Sequence, residues 1–331
     1  MVSVICPIFN EERYIHKCIE SVLAQDYPKD DMEVLFVDGM STDTTRHIVA
    51  QYVAQYPFIH LLDNPHKIVP YAMNLGIQQA KGDIIVRLDA HAEYANNYIS
   101  TLVHYLQTIP DAGNVGAPCK TLSISNTPKA KAIVAVLSSK FGVGNSDFRT
   151  GISHLQQVDT VPFGCWKKSI FDKCGYFDTR LVRNQDIEMN KRILSSGSKI
   201  YLVPDTYCIY YARDTYKAFC KNNFANGKWN ILTVYYTGQM RSLSLRHFIP
   251  LCFVLSLLLP IIIGIACPWF LIIALISLMA YISTLCFVSC KIARINNLRF
   301  YYILWAFVTL HISYGIGSLV GLVSLPFIKR A

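Results

Sequence analysis

Short apolar runs alternate along the front of the chain with stretches whose apolar positions recur at helical spacing. Ser3 to Ile8 is a β-branched run, Glu11 to Gln25 carries Ile15, Ile19, Val22 and Leu23 on one helical face, and Glu33 to Val37 reads as strand again. Thr44 to Gln55 predicts a helix, Ile59 to Leu62 a strand, Val69 to Ala80 a helix and Asp83 to Leu88 a strand. Strands alternating with helices of this length predict an α/β fold, a parallel sheet covered by helices on both faces. Ligands of such sheets bind at the carboxyl ends of the strands.

The pattern changes after Arg246. Residues 248–266 and 269–290 are nearly unbroken apolar runs separated by Cys267-Pro268, and 301–325 is a third without a formal charge. Each approaches the ~20 residues a bilayer-crossing helix needs. The chain therefore divides at the sequence level into a soluble domain, 1–240, and a membrane domain, 241–331, with three spans. Mean hydropathy of +0.30 fits that division. Only 16% of the residues are charged.

Basic residues mark the side. Lys291, Arg294 and Arg299 lie between the second and third spans, and Arg241 and Arg246 precede the first. Cytoplasmic loops are enriched in Lys and Arg, so the front domain is expected inside the cell at the plasma (inner) membrane. A third full crossing would carry Lys329 and Arg330 to the far side, against that rule, and Gly315, Gly317 and Gly321 could mark a bent or re-entrant segment, which leaves the side of the C-terminus open. No basic leader followed by an apolar core opens the chain, so a cleaved signal peptide is not expected. The net charge of +9 suits an anionic inner leaflet, and nucleic acid is not an expected partner. The 11 cysteines are scattered without a C-x-x-C pair, which suggests neither zinc nor a disulfide framework.

The chemistry stands at the strand ends. The first strand runs into "CPIFNEE", with Pro7, Asn10, Glu11 and Glu12, and the second into "FVDGMSTDTT", with Asp38 and Asp43. The fourth runs into "RLDAHAEY", where alternation along an extended chain would put Asp89, His91 and Glu93 on one side. No G-x-G-x-x-G or G-x-x-x-x-G-K-[ST] occurs, so a dinucleotide or P-loop site is not expected. Carboxylates facing a diphosphate need a divalent cation between them. Mg²⁺ or Mn²⁺ takes both kinds of oxygen with few protein ligands, and an imidazole favours Mn²⁺. Asp89 and His91 are the candidate ligands, and Arg87 is placed either to reach a diphosphate or to pair with a carboxylate.

Four ordered blocks, "VSVICPIFNEE", "VDGMSTDTT", "NPHKIVPYAMNLGIQQAKGDIIVRLDAHAEY" and "DTVPFGCWKKSIFDKCGYFDTRLVRNQDIEMNKRI", closely resemble the inverting family 2 glycosyltransferases of GT-A fold. The resemblance covers residue 2 to about 240 and is greatest to the membrane-anchored enzymes of succinoglycan-type exopolysaccharide assembly. It implies that Pro7, Asn10 and Glu11 lie beside a donor nucleotide and that Asp38 hydrogen-bonds a uracil ring. It places Asp89 at the metal-binding Asp-x-Asp position, with His91 replacing the second Asp. Asp186 matches the catalytic base of the family's Glu-Asp pair, with Gln185 where many members have Glu. Residues 142–145 and Arg149 resemble the exopolysaccharide subgroup and suggest an acceptor-side role, and 222–230 lacks the Gln-x-x-Arg-Trp of processive members.

The expected reaction is transfer of one sugar from a nucleotide diphosphate sugar, a UDP-sugar, to a lipid-linked acceptor. A carboxylate takes the acceptor proton and a metal stabilises the leaving diphosphate. A polyprenyl-phosphate sugar synthase, or a scaffold that senses nucleotide sugars, is the alternative. The same residues also have structural duties open to them. Asn10 can cap a helix starting at Glu11, Asp38 and Asp43 can serve turns, and Asp186 can be an N-cap. Residues 128–149 read as a membrane-surface segment or as a packed helix followed by a loop.

Overall fold

A computed structural model describes residues 1–144, 146–238 and 243–328; Asn145, Arg241, Lys329 and Arg330, which enter the sequence reading, lie outside them. The chain packs as two compact units, Met1–Lys120 with Asp147–Tyr211, and Thr121–Ser146 with Ala212–Ala331.

In the first unit the expected rhythm is present: β1 (Val2–Ile8), α1 (Ile15–Leu23), β2 (Met32–Asp38), α2 (Thr45–Gln55), β3 (Ile59–Asp63), α3 (Val69–Gln79) and β4 (Ile84–Arg87). Next come β5 (Ala92–Tyr94), α4 (Tyr98–Thr108), β6 (Ala112–Gly116) and β7 (Cys119–Leu122). After Pro128–Leu137 (α5) and Lys140–Val143 (α6), the chain forms α7 (Asp147–Thr150), β8 (Gln156–Gln157), β9 (Cys165–Lys167), α8 (Ser169–Cys174), α9 (Gln185–Ser195), β10 (Lys199–Leu202) and β11 (Cys208–Tyr211). The main sheet has the order β3-β2-β1-β4-β9-β6-β10-β8, and a small sheet has the order β5-β11-β7. β1 pairs in parallel with both β2 and β4, while β9 is antiparallel to its neighbours. The strand order reverses direction between β1 and β4, and the crevice of a doubly wound sheet opens at such a point.

β1 is central, and both of its faces are buried. Val2, Val4, Cys6 and Ile8 enter one apolar cluster with Ile15, Ile19 and Val22 of α1, and Ile5 enters the other with Ala72, Met73 and Ile77 of α3. A Cβ on Gly76 would strike the Ile5 side chain, so glycine lets α3 lie close on the sheet.

Helix α1 starts four residues later than the periodicity indicates. Backbone N–H groups of Asn10, Glu11 and Glu12 donate to Ser41 Oγ, Thr45 Oγ1 and Asp43 Oδ2 at 2.9, 2.8 and 3.3 Å, so the segment is drawn to the end of β2 and away from helix. Asn10 itself has φ +56° and does not cap; its Oδ1 accepts from the Thr42 N–H at 2.8 Å.

The second unit joins α5 and α6 to α10 (Tyr216–Thr237), α11 (Ile249–Gly264), α12 (Phe270–Ile295) and α13 (Phe300–Ser324). Three stretches, Leu245–Gly264, Phe270–Ile295 and Phe300–Phe327, are long and apolar enough to cross a membrane. Lys291 and Arg294 are in the last turns of α12, not in a loop, where cations suit the helix C-terminus. α13 runs as one helix through Gly315, Gly317 and Gly321. Its glycines serve close packing: a Cβ on Gly317 would meet the Phe224 carbonyl of α10, and one on Gly321 the Lys228 carbonyl at 2.8 Å. Gly227, inside the 222–230 stretch, is reciprocal, lying against the Tyr314 carbonyl, and Ser318 Oγ donates to the Gly227 carbonyl at 3.1 Å.

Gly227→Leu therefore sets a side chain against backbone that cannot give way. Thermal unfolding in detergent should show a loss of about 1–3 kcal/mol or more, in the range of overpacked cores. An unchanged transition would refute the glycine-mediated contact of α10 and α13.

Candidate active site at the carboxyl ends of β1, β2 and β4

The crevice begins where β1 and β4 part. Their pairing ends at Ile5 with Arg87, and Pro7 lies two residues on, where a missing N–H costs no ladder bond. Beyond β1, Asn10 and Glu11 are fixed by the β2 loop as described. Glu12 joins the same lacing, its Oε2 accepting from Thr44 Oγ1 at 3.0 Å.

At the end of β2 the Asp38 side chain is fully buried. Its carboxylate accepts from Ser41 Oγ at 2.5 Å and Ser41 N at 3.0 Å, and pairs with Arg46 Nη1 at 2.6 Å. Arg46 also bridges to Asp63 at the end of β3 at 2.8 Å. Asp38 thus ties together the loops after β1, β2 and β3, which is the turn duty open to it.

The end of β4 departs from the alternation. The strand stops at Arg87, and Asp89 to Ala92 form a turn closed by Ala92 N–H donating to the Asp89 carbonyl at 3.2 Å. Asp89, His91 and Glu93 consequently do not share one side. Glu93 pairs instead with Tyr211 Oη at 2.6 Å and Lys17 Nζ at 3.4 Å. His91 Nδ1 faces Glu11 Oε1 at 3.5 Å, so the β1 and β4 ends do meet.

Tyr94, which sequence reasoning left without a role, fixes the turn. The Asp89 N–H donates to Tyr94 Oη at 2.7 Å, and the same hydroxyl donates to the Asp89 carbonyl at 3.2 Å. No local period links positions five apart on a strand and a turn, so the pattern carried no signal for it.

Arg87 takes the pairing role. Its Nε and Nη2 donate to the two Asp89 carboxylate oxygens at 2.9 and 3.3 Å, and only 5% of the residue is exposed. Nη1 is buried and finds no hydrogen-bond partner among the described residues. Burial presses this guanidinium toward losing its proton, but the carboxylates of Asp89 and Asp186 outweigh burial and raise its pKa. Asp186, far along the chain, is thereby within electrostatic reach of the β4 end.

α9 carries Asp186 in its first turn, after Asn184 at φ +62°. Asp186 is not the N-cap; its Oδ1 accepts from the Ile187 N–H at 2.9 Å. Buried amides seat the helix: Asn114 Nδ2 donates to Asn190 Oδ1 at 2.7 Å, and Asn190 Nδ2 to Thr160 Oγ1 at 2.9 Å. Gln185 is buried beside Asp186 in sequence, and its Oε1 has no hydrogen-bond partner among the described residues.

No three His, Cys, Asp or Glu side chains converge as a ready metal cage among the described residues. The candidate ligands Asp89 and His91 are each partly open to solvent, and Glu11 lies beside His91. Such a small set of oxygen and nitrogen donors fits Mg²⁺ or Mn²⁺ shared with a phosphate ligand.

Comparison with known proteins bears on this geometry. A family model described as "Glycosyl transferase family 2" matches residues 3–141. The dolichyl N-acetyl-alpha-D-glucosaminyl phosphate 3-beta-D-2,3-diacetamido-2,3-dideoxy-beta-D-glucuronosyltransferase of Methanococcus voltae is 32% identical over 233 residues, 68% of this chain and 71% of that protein. Succinoglycan biosynthesis protein ExoA of Rhizobium meliloti is 30% identical over 213 residues, 63% of each chain. Among solved structures, the mannosyltransferase PcManGT from Pyrobaculum calidifontis, in complex with GDP-Man and Mn²⁺, superposes with a TM-score of 0.62 over 96% of this chain and 86% of that one, at 20% identity. That likeness shows the fold, a GT-A-like α/β domain followed by apolar helices.

Tyr94→Phe deletes only the hydroxyl that holds the Asp89 peptide. It should cost about 1 kcal/mol of stability and speed amide exchange at Asp89. Exchange at Asp89 equal to wild type would show that something else pins the turn.

Proposed function

Since the chain belongs to glycosyl transferase family 2 and is a glycosyltransferase, we propose that it moves one sugar from a UDP-sugar to a polyprenyl-diphosphate-linked acceptor by a single inverting displacement. The observation that supports this most is the pairing of Arg87 with Asp89 at the β1–β4 crevice, where a sheet of this type holds its ligand, with the charge of Asp186 acting on the same guanidinium.

In this reading the donor lies across the ends of β1 and β2, between Pro7, Asn10 and Glu11 and the Asp38 loop. Asp38 is fully buried, and both its oxygens are engaged by Ser41 and Arg46, so in this reading it acts by fixing the loop that faces the nucleotide. Asp89 and His91 would hold Mn²⁺ or Mg²⁺, which neutralises charge on the departing diphosphate when bound. Arg87 holds Asp89 in place through Nε and Nη2, and its Nη1, without a partner among the described residues, is left for a further contact to the donor. Asp186 is the base that takes the proton of the attacking hydroxyl.

The acceptor assignment draws on the relatives, whose names refer to a dolichyl-linked sugar and to succinoglycan. The three apolar helices support a multi-pass protein of the plasma membrane with its catalytic domain on the cytoplasmic face, in exopolysaccharide or surface glycan assembly. A polyprenyl acceptor stays in the bilayer, so an anchored enzyme meets it by diffusion in the plane of the membrane.

Asp186→Asn should leave UDP affinity within about twofold and lower transfer by about a hundredfold or more, the scale of a lost general base. NMR of the wild-type product should show the anomeric configuration opposite to the donor's. Retained turnover in the variant, or a retained configuration, would contradict the role of Asp186.

A further inference from the structure

α10 and α13 lie side by side and run in the same direction. Tyr216 Oη donates to the Tyr302 carbonyl at 2.9 Å near their starts, Gly317 and Gly321 lie against the carbonyls of Phe224 and Lys228 further on, and Tyr235 Oη donates to the Ile328 carbonyl at 3.4 Å beyond the end of α13. The two helices therefore share one environment along their length. α10 carries Lys217, Lys221 and Lys228 and no carboxylate, and Lys217 and Lys221 are exposed. Charged side chains inside the hydrocarbon of a bilayer are costly and rare. A neighbour that does not enter hydrocarbon keeps α13 out of it as well.

The surface of α13 agrees. α11 and α12 expose apolar side chains at successive positions, such as Ile261, Ile262 and Ile263 on the first and Leu271, Ile272 and Ile273 on the second, as a helix surrounded by lipid does. On α13 and the turn after it, exposed Trp305, Ile316, Val320, Val323 and Phe327 follow one helical stripe. Of its apolar stretch 44% is buried, against 22% in the first span and 6% in the second. A helix apolar on one face, with a Trp near its start and cations beside it, suits the interface plane of a membrane. We infer that α10 and α13 lie in the plane of the cytoplasmic leaflet and that only α11 and α12 cross the bilayer. The stripe of α13 reaches into the headgroup region, and the lysines of α10 meet anionic headgroups. Two crossings bring the chain back to its side of entry. Lys329 and Arg330 then fall on the same side as Arg246, Lys291, Arg294 and Arg299, as the enrichment of cytoplasmic segments in basic residues requires. This rests on the membrane reading of the chain and replaces the third crossing that length and hydropathy suggest.

The experiment is protease digestion of sealed inside-out and right-side-out membrane vesicles holding the full chain, with a short epitope tag after Ala331 or inserted between Cys267 and Pro268. The tag after Ala331 should be lost only from inside-out vesicles, and the inserted tag only from right-side-out ones. Since α13 is one helix with no turn back, that result leaves it no path across. Depth is read with Ile316→Trp in nanodiscs of lipids brominated close to the headgroup or close to the chain end. The fluorescence added over wild type should be quenched more by the shallow bromines. Loss of the tag after Ala331 from right-side-out vesicles, or stronger quenching by the deep bromines, would show that α13 crosses and overturn the proposal. Quenching by neither lipid would take α13 off the bilayer and overturn it as well. Release of the wild-type chain from vesicles by alkaline carbonate would instead defeat the membrane reading on which it rests.

Discussion

A cation almost wholly withdrawn from water at the end of a central strand dictates much of what surrounds it. Arg87 cannot lose its charge under ordinary conditions, and an unpaired buried charge is among the costliest defects a fold can carry. Asp89 must therefore lie against it, which requires β4 to stop and the chain to turn at once. The turn needs its own support, and the Tyr94 hydroxyl supplies it by bonding both the N–H and the carbonyl of Asp89. The charge of Asp186 also raises the Arg87 pKa, so the start of α9 is within electrostatic reach of a strand about a hundred residues earlier in the chain.

A second constraint acts through the loops. The ends of β1, β2 and β3 are joined by side-chain bonds to backbone N–H groups and by the Asp38–Arg46–Asp63 bridge. These bonds use donors and acceptors that an isolated turn would leave to water. They also explain how residues with structural duties stand ready for function: the lacing that occupies Asp38 and Asn10 sets the wall of the crevice at the same time.

The front half of the fold was legible because its signals are local. The β-branched runs and helical spacings from Ser3 to Leu88 recover β1 to β4 and α1 to α3 within a few residues. Three-residue β9, inserted antiparallel between β4 and β6, has no period to read and depends on its neighbours. Local pattern misled where a partner elsewhere decides the matter. Glu93 continued an alternation on paper, yet the Arg87–Asp89 pair ends the strand. Glu11 looked like the start of a helix, but the β2 loop captures its N–H. The packing of Gly317 and Gly321 could not be read, since nothing near them in sequence shows that α10 lies against them. The candidate site residues were named from motifs, while the bond of Tyr94 to the Asp89 peptide and the pairing of Arg87 with Asp89 required the tertiary structure.

The most direct test of this account is a titration of UDP, GDP and CMP into the detergent-purified protein, with Mn²⁺ and with EDTA, for wild type and for Asp89→Asn, which keeps an acceptor for Arg87. The account requires UDP to bind selectively, with Mn²⁺ only, and that metal dependence to vanish in the variant. Binding that ignores both EDTA and the substitution would contradict a donor and metal site at the end of β4.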